Sequence, residues 1–350
     1  MRDPADDLRQ IAFCLERALE PSYRVKAFRT AAAAVDALGP DELAERLRAG
    51  TLEEVKGIGK VTALVVSESF AGEEPNYLRR VADLGTTSVS EGAAALRAAL
   101  KGDCHTHSDW SDGGSPIEEM ARAARDIGHE WVVLTDHSPR LTVARGLSPE
   151  RLREQLEVVR GLNGVFAEEA AEGAPPFRLL TGIECDINED GSLDQEPELL
   201  AQLDLVVASV HSKLRMPGDE MTPRLVAAIS NPHTDVLGHC TGRMRTRAKN
   251  RPESEFDPEI VFAACAQFGV AVEVNSRPER LDPPKRLLRL ALESGCDVVI
   301  DTDAHAPGQL SWQTIGCERA HLTGVTADRV VNTRSADELL AWAAQPPGGA

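Results

Sequence analysis

His105 and His107 stand two residues apart in the run Asp103-Cys104-His105-Thr106-His107-Ser108-Asp109-Trp110-Ser111-Asp112-Gly113, with the carboxylate of Asp112 five residues beyond the second histidine. Side chains alternate along an extended segment, so residues two apart share a face, about 7 Å from each other. Two imidazoles on one face, with a carboxylate returning from a turn, make half of a metal site. The competing reading is a polar, Ser- and Asp-rich loop that happens to hold two histidines. The elements that follow decide between them.

From residue 102 onward, short apolar runs alternate with helical stretches. The runs at 102–106, 131–135, 178–184, 203–210, 235–238, 270–275 and 297–302 read as strands, and 116–127, 149–160, 258–268 and 284–294 as helices, several with Pro near the first turn. Such alternation implies parallel strands, and seven units suggest a barrel, although the boundaries do not separate seven strands from eight. Each strand runs into a potential ligand. The first ends in His105 and His107, the second in Asp136-His137, and the third in Glu184 with Asp186 on the same face. The fourth ends at His211, the fifth at His239, the sixth at Glu273 and Asn275, and the seventh at Asp301, Asp303 and His305. Six of the nine histidines therefore lie at C-terminal strand ends, where barrel active sites converge. One or two buried structural histidines would be ordinary, but six on one rim point to metal. Asp136, Asp186, Glu273 and Asp301 are expected to support the ligands. His129 and His321 are assigned to structure, and His233 to a substrate contact or a turn.

These motifs resemble, in order and over residues 102–320, the PHP (polymerase and histidinol phosphatase) superfamily: Asp103-Cys-His-Thr-His with Ser111-Asp112-Gly113, Thr135-Asp136-His137-Ser138, Gly182-Ile183-Glu184, Ser209-Val210-His211, Leu237-Gly238-His239 and Asp301-Thr-Asp303-Ala-His305. The resemblance implies an α/β fold, a distorted (β/α)7 barrel with a trinuclear metal centre. Its ligands would be His105, His107, Asp112, His137, Glu184, His211, His239, Asp303 and His305. His105 and His107 would serve one ion and Asp112 its neighbour, with Glu184, His137 and Asp303 the expected catalytic members and Glu184 bridging two ions. Neutral imidazoles with a few carboxylates suit Zn²⁺, Mn²⁺ or Fe²⁺ better than Mg²⁺ or Ca²⁺. Such a cluster generates hydroxide near neutral pH for in-line attack on phosphorus, with no Ser, Cys or Lys nucleophile. Lys213, Arg243 and Arg277 are the rim cations expected to meet phosphate, and Arg140, Arg145, Arg245 and Arg247 are further loop candidates.

The first hundred residues read differently, as a small all-α domain. Helical spacing covers Leu8–Leu19 and Tyr23–Leu38, Gly39-Pro40-Asp41 stops the second helix, and Asp41 is placed to cap 42–49. Gly57-Ile58-Gly59-Lys60 then separates a short helix from an apolar one running from Val61 to about Phe70. Over residues 6–83 this region resembles the 8-kDa helix-hairpin-helix domain of family-X DNA polymerases. The resemblance implies DNA binding through Gly57, Gly59 and Lys60, aided by Arg24, Lys26, Arg29 and Lys56. Val65 stands about where lyase-active members carry a Schiff-base lysine, and an aliphatic side chain supplies no amine. The expected organisation is 1–85 as the helix-hairpin-helix domain, 86–101 as a linker helix, and 102–345 as the barrel, with no room for a polymerising centre.

The 350 residues carry a formal charge of −18, of which −3 falls on residues 1–100. That balance disfavours a general nucleic-acid binder and leaves room for local phosphate recognition. Seven cysteines without a C-x-x-C pair argue against a disulfide framework or a thiolate zinc knot; Cys104, Cys185 and Cys240 read as small buried spacers. No apolar run reaches the roughly 18 residues of a membrane span, and no signal core opens the chain, so a cytoplasmic protein is expected. The functional expectation is a metal-dependent phosphoesterase acting on DNA, by 3′-end processing or 3′→5′ exonuclease action. The alternatives are a small-molecule phosphomonoesterase of histidinol-phosphatase type and a non-catalytic DNA- or protein-binding adaptor with structural metals.

Overall fold

The computed structural model describes residues 2–246 and 250–345, so Arg247 lies outside the described residues. Contacts divide the chain into two units, residues 1–88 with 307–309, and residues 89–306 with 310–350.

The first unit packs α1 (Pro4–Arg17), α2 (Ser22–Ala49), α3 (Lys60–Phe70) and α4 (Asn76–Val81) around Leu8, Ile11, Leu15, Phe28, Val65 and Val66. Asp3 caps α1 by accepting from the Ala5 and Asp6 amides. The expected break after Leu38 is a kink: Gly39 adopts φ 70° and ψ 168°, and the helix restarts at once through Pro40. Asp41 therefore falls in the first turn of the restarted segment and is not its cap. Gly57 has φ +99°, and a Cβ there would stand 2.9 Å from Thr30 Cγ2, so the turn into α3 requires glycine. Gly59 has ordinary backbone angles and open space around it; its amide donates to Thr62 Oγ1 at 2.9 Å.

In the second unit, Trp131-Val-Val-Leu134 is buried along its whole length, as a strand covered on both faces must be. Seven strands form one parallel sheet: β1 (Gly102–Thr106), β2 (Trp131–Leu134), β3 (Arg178–Asp186), β4 (Leu205–Ser209), β5 (Val236–Leu237), β8 (Ala271–Asn275) and β9 (Val298–Asp301). A separate antiparallel pair, β6 (Met244–Arg245) and β7 (Asn250–Arg251), lies between β5 and β8 in the chain. The ladder runs in that order from β1 to β9, and side chains largely close the seam between its two ends. Cys104 N donates to Asp301 Oδ1 at 2.9 Å, Thr302 Oγ1 to Asp103 Oδ2 at 2.5 Å, and Asn332 Nδ2 to Asp301 Oδ1 at 2.9 Å. A parallel bridge joins Thr106 to Ala304. The architecture is the nearly closed seven-stranded β/α barrel expected.

Helices surround the sheet, among them α6 (Ile117–Asp126), α7 (Pro149–Glu169), α8 (Pro197–Leu200), α9 (Gly218–Ile229), α10 (Pro258–Phe268), α11 (Lys285–Glu293), α12 (Gln313–Thr323) and α13 (Ala336–Ala343). α7 runs nine residues past the expected 160 because Phe166 packs edge-on against Phe177, 5.2 Å between centroids. The stretch expected to be a linker holds α5 (Glu91–Ala99), which belongs to the barrel unit. Its Ala93 and Leu96 are buried with Val274, Ile300 and Cys317, so burial of one apolar stripe makes it part of the barrel wall. All seven cysteines are buried and free. Among the described residues no helix is long and apolar enough to cross a membrane.

Candidate metal centre

Each proposed ligand enters from the C-terminal end of a strand, and the structure brings all nine to one place. At its middle is Glu184, 1% exposed, on β3. Its Oε2 faces His105 Nε2 at 3.3 Å, His107 Nε2 at 3.5 Å and His137 Nδ1 at 2.9 Å. Its Oε1 faces His211 Nε2 at 3.2 Å and His239 Nε2 at 2.8 Å. One carboxylate thus separates two sets of imidazoles. Toward the mouth, Asp112 Oδ1 lies 3.4 Å from His137 Nε2 and 3.3 Å from His305 Nε2. Asp303 Oδ1 lies 3.4 Å from His107 Nε2.

Three groups of donors are close enough to hold an ion: His107, Asp112, His137 and His305; His105, His107 and Glu184; His137, Glu184 and His211. Any two of these groups share one residue, His107, His137 or Glu184, so the groups form a triangle. His239 and Asp303 adjoin them without being members.

Most of these separations are too long for good hydrogen bonds. They match donors about a common ion, since two atoms each about 2.1 Å from a tetrahedral metal lie about 3.4 Å apart. Buried ring nitrogens without a hydrogen-bond partner point the same way: His105 Nε2, both nitrogens of His107 and of His211, His137 Nδ1 and His239 Nδ1, together with Glu184 Oε2. Buried polar atoms are normally paired. The donor set fits divalent metal.

The field of the site is that of a cation trap. Burial opposes ionisation of Glu184, yet the surrounding His211, His105 and His137 hold its carboxyl well below the usual range. Burial likewise opposes charging of His137, but Glu184 and Asp112 push it up to about 10. His107 is pushed well down by burial and by the neighbouring His305 and His137.

Surrounding residues orient these side chains. Glu273 Oε1 lies 2.6 Å from His105 Nδ1, which leaves Nε2 to point at Glu184. Its Oε2 accepts from the backbone amide of His239. Asp186 Oδ1 accepts from the His211 amide at 3.0 Å. Asp136 accepts from Ser108 N, Ser108 Oγ, Ser111 Oγ and Gln155 Nε2, and so holds the turn that delivers Asp112. Asp301 serves the barrel seam. Asp303 has φ 53°, a left-handed conformation uncommon outside glycine.

The expected rim cations separate. Arg277 lies at the centre, with Nη1 3.3 Å from His305 Nδ1 and 3.9 Å from Asp303 Oδ1. Lys213 is exposed, on the loop after β4. Arg243 is committed elsewhere: its Nε donates to the Arg280 carbonyl at 2.9 Å and its Nη2 to that of Leu281, so it braces a loop and has little left for phosphate. Arg280 escaped the sequence reading, although its Nε lies 2.9 Å from Asp303 Oδ2. Its only signal is position, a few residues past a strand end that already carries Glu273 and Asn275. His233 precedes β5 and therefore sits at the opposite end of the barrel; its amide donates to Asn231 Oδ1, which makes it a turn residue. His129 and His321 lie apart from the cluster. His321 packs so closely on Gly92 that a Cβ there would stand 2.1 Å from its ring.

Comparison with known proteins adds the following. A model of the PHP domain matches residues 103–276. A protein of Bacillus subtilis named DNA polymerase/3′-5′ exonuclease PolX is 37% identical over 243 residues, 69% of this chain and 41% of that protein. This chain thus spans less than half the length of that relative. A probable phosphatase of Thermoanaerobacter is 28% identical over 246 residues, 66% of this chain and 89% of the relative. The crystal structure of histidinol phosphate phosphatase from Lactococcus lactis, complexed with zinc, L-histidinol and phosphate, aligns with a TM-score of 0.46 at 17% identity, covering 65% of this chain and 95% of that one.

Proposed function

The chain belongs to the PHP family, and on that premise we propose that it is a metal-dependent phosphoesterase acting on DNA, by 3′-end processing or 3′→5′ exonuclease action. The observation that carries the hydrolase reading is the convergence of six histidines and three carboxylates from six of the seven strand ends, with ligand-type spacing and unpartnered ring nitrogens. The relative named as a polymerase and 3′-5′ exonuclease supports the DNA substrate. So does the helical unit, which we read as a helix-hairpin-helix domain binding DNA through Gly57, Gly59 and Lys60.

His105, His107, Asp112, His137, Glu184, His211, His239, Asp303 and His305 would hold up to three ions, with Zn²⁺, Mn²⁺ or Fe²⁺ the best match to the donors. Bound ions supply the Lewis acidity that acidifies water toward neutral pH and offsets phosphate charge. The protein's own part is positioning. Glu184, with its oxygens facing separate sets of imidazoles, keeps the deep nitrogens in register. His137, between Glu184 and Asp112, ties the deep part to the mouth. Asp112, whose side chain is 38% exposed, marks the side from which substrate enters. Arg277 and Lys213 orient phosphate oxygens there.

A second reading is hydrolysis of a small phosphomonoester. The match to a probable phosphatase across 89% of its length favours it. One experiment tests both. Metal is quantified in purified full-length protein, and turnover is then measured on single-stranded, recessed and 3′-phosphate DNA beside small esters. Turnover of DNA that is lost in His107→Ala is expected. Absence of turnover with Mn²⁺ and Zn²⁺ on every substrate, or full activity in His107→Ala, refutes the hydrolase.

A further inference from the structure

We infer that Arg280 is the buried anchor for the phosphate group of the substrate, a residue that contacts the phosphate directly; this rests on the hydrolase reading above. Arg280 sits on the loop after β8 with its side chain nine-tenths buried. Its Nε and Nη1 are buried and make no hydrogen bond among the described residues; the ion pair to Asp303 lacks the alignment of one. A guanidinium has five donors and no acceptor, so it cannot ligate metal, and leaving two of its donors unmade in the interior is costly.

The direction of the side chain is built in. The Arg280 amide donates to Arg277 O at 2.9 Å, and Arg243 grips the Arg280 and Leu281 carbonyls. Leu281 adopts φ 47°, a conformation a bulky residue rarely takes. On the far side, Asn275 N donates to Asp282 O at 2.8 Å, and Thr241 Oγ1 to Asp282 Oδ2 at 2.6 Å. A loop held at so many points does not place a cation beside Asp303, Glu184 and Glu273 by accident.

A salt bridge to Asp303 is too little to explain it. Asp303 turns its other oxygen to His107 and is a proposed ligand, so ions in the centre would share its charge and leave Arg280 facing a cluster of like sign. An anion held against the guanidinium on the side turned away from Asp303 offsets that repulsion. Nε and Nη1 lie on opposite sides of the guanidinium, so with Nε turned to Asp303 the buried, unpartnered Nη1 is the donor available to a phosphate oxygen.

The test uses full-length protein loaded with Mn²⁺ or Zn²⁺ and the variants Arg280→Gln and Arg280→Lys. Inorganic phosphate binding is measured by calorimetry, metal content by elemental analysis, and KM and kcat with p-nitrophenyl phosphate. Expected are unchanged metal content in both variants, phosphate affinity about 10- to 100-fold weaker in Arg280→Gln, and a smaller loss in Arg280→Lys, which keeps the charge and not the guanidinium's fixed donor directions. KM in Arg280→Gln rises by a similar factor. Wild-type phosphate affinity in both variants overturns the proposal, and so does a loss of metal from Arg280→Gln, which would reduce the residue to a brace for Asp303. Should the wild type turn over no ester, the hydrolase reading fails while the phosphate titration still decides the role of Arg280.

Discussion

Two buried carboxylates and one buried histidine show how far a residue's work depends on its neighbours. Glu184 touches five imidazoles, whereas Glu273 orients one ring and one amide, so the two acids should fail differently. Glu184→Gln keeps the shape and removes the central charge; it is expected to leave less than half the wild-type metal and to lower kcat/KM at least about 1000-fold. Glu273→Gln leaves every ligand in place, loosens His105, and should weaken metal affinity roughly 10- to 100-fold, with activity recovered at high metal concentration. Equal metal loss in the two variants would contradict this division of labour. His129 belongs to the fold and sets a pH limit. Its Nε2 lies 3.1 Å from Arg97 Nη2 and 3.0 Å from Gln313 Oε1, and burial followed by the Arg97 charge depresses its pKa to about 3. A depressed histidine binds its proton more weakly in the folded state than in the unfolded one. The stability it supports is therefore present above pH 6.5 and is lost as pH falls toward 3, amounting to about 2 kcal/mol lost by pH 5. In urea unfolding at pH 7.5 and pH 5, His129→Asn should lose about 2 kcal/mol less than wild type between the two conditions. Parallel losses would show that the fold does not depress the affinity of this ring for its proton.

At the scale of elements, the two glycines in the turn before α3 have separate tasks. Gly57 makes the turn: its φ of +99° and the nearby Thr30 methyl leave no room for a side chain. Gly57→Ala should destabilise the helical unit by about 1–2 kcal/mol, whereas Gly59→Ala, at an ordinary φ in open space, should be nearly neutral to stability. Thermal unfolding of both variants checks this, and equal losses would mean the turn is not the constraint. The same contrast explains what was legible in the sequence. Strand ends were legible because a parallel barrel sends every strand's C-terminus to one rim, and the histidines mark those ends by type. Asp112 was legible through its spacing from His107. Arg280 was not, because its aim depends on Arg243 gripping two carbonyls of a loop 37 residues later, and no periodicity records that. The role of Asp301 at the seam was hidden likewise, because its partner Asn332 lies beyond the last strand. The length of α7 follows from one aromatic contact, and the membership of α5 from burial against residues about two hundred positions away.

For the whole molecule the question is how a chain of charge −18 would hold a polyanion at all. At physiological ionic strength charges are screened beyond about 8 Å, so the net charge matters less than the few cations in contact with phosphate. Five were expected beside the hairpin, and the structure leaves fewer at the surface. Arg24 is paired with Glu20 and also donates to Tyr77, and Arg29 donates to Glu16 from both Nε and Nη2. Lys26, Lys56 and Lys60 are exposed. Single-stranded DNA loses affinity with a log–log salt slope of about −0.7 per neutralised phosphate. Three lysines and the mouth cation Lys213 therefore predict a slope of about −2 to −3 for kcat/KM on single-stranded DNA as NaCl rises, and a nearly flat response for p-nitrophenyl phosphate. Lys60→Ala should flatten the DNA slope by about 0.7 and leave the small ester unaffected. A DNA slope near zero would favour the small-ester reading, because substrate would then be recognised at the metal centre alone. A slope of −5 or steeper would require a contact surface larger than the exposed cations of the helical unit supply.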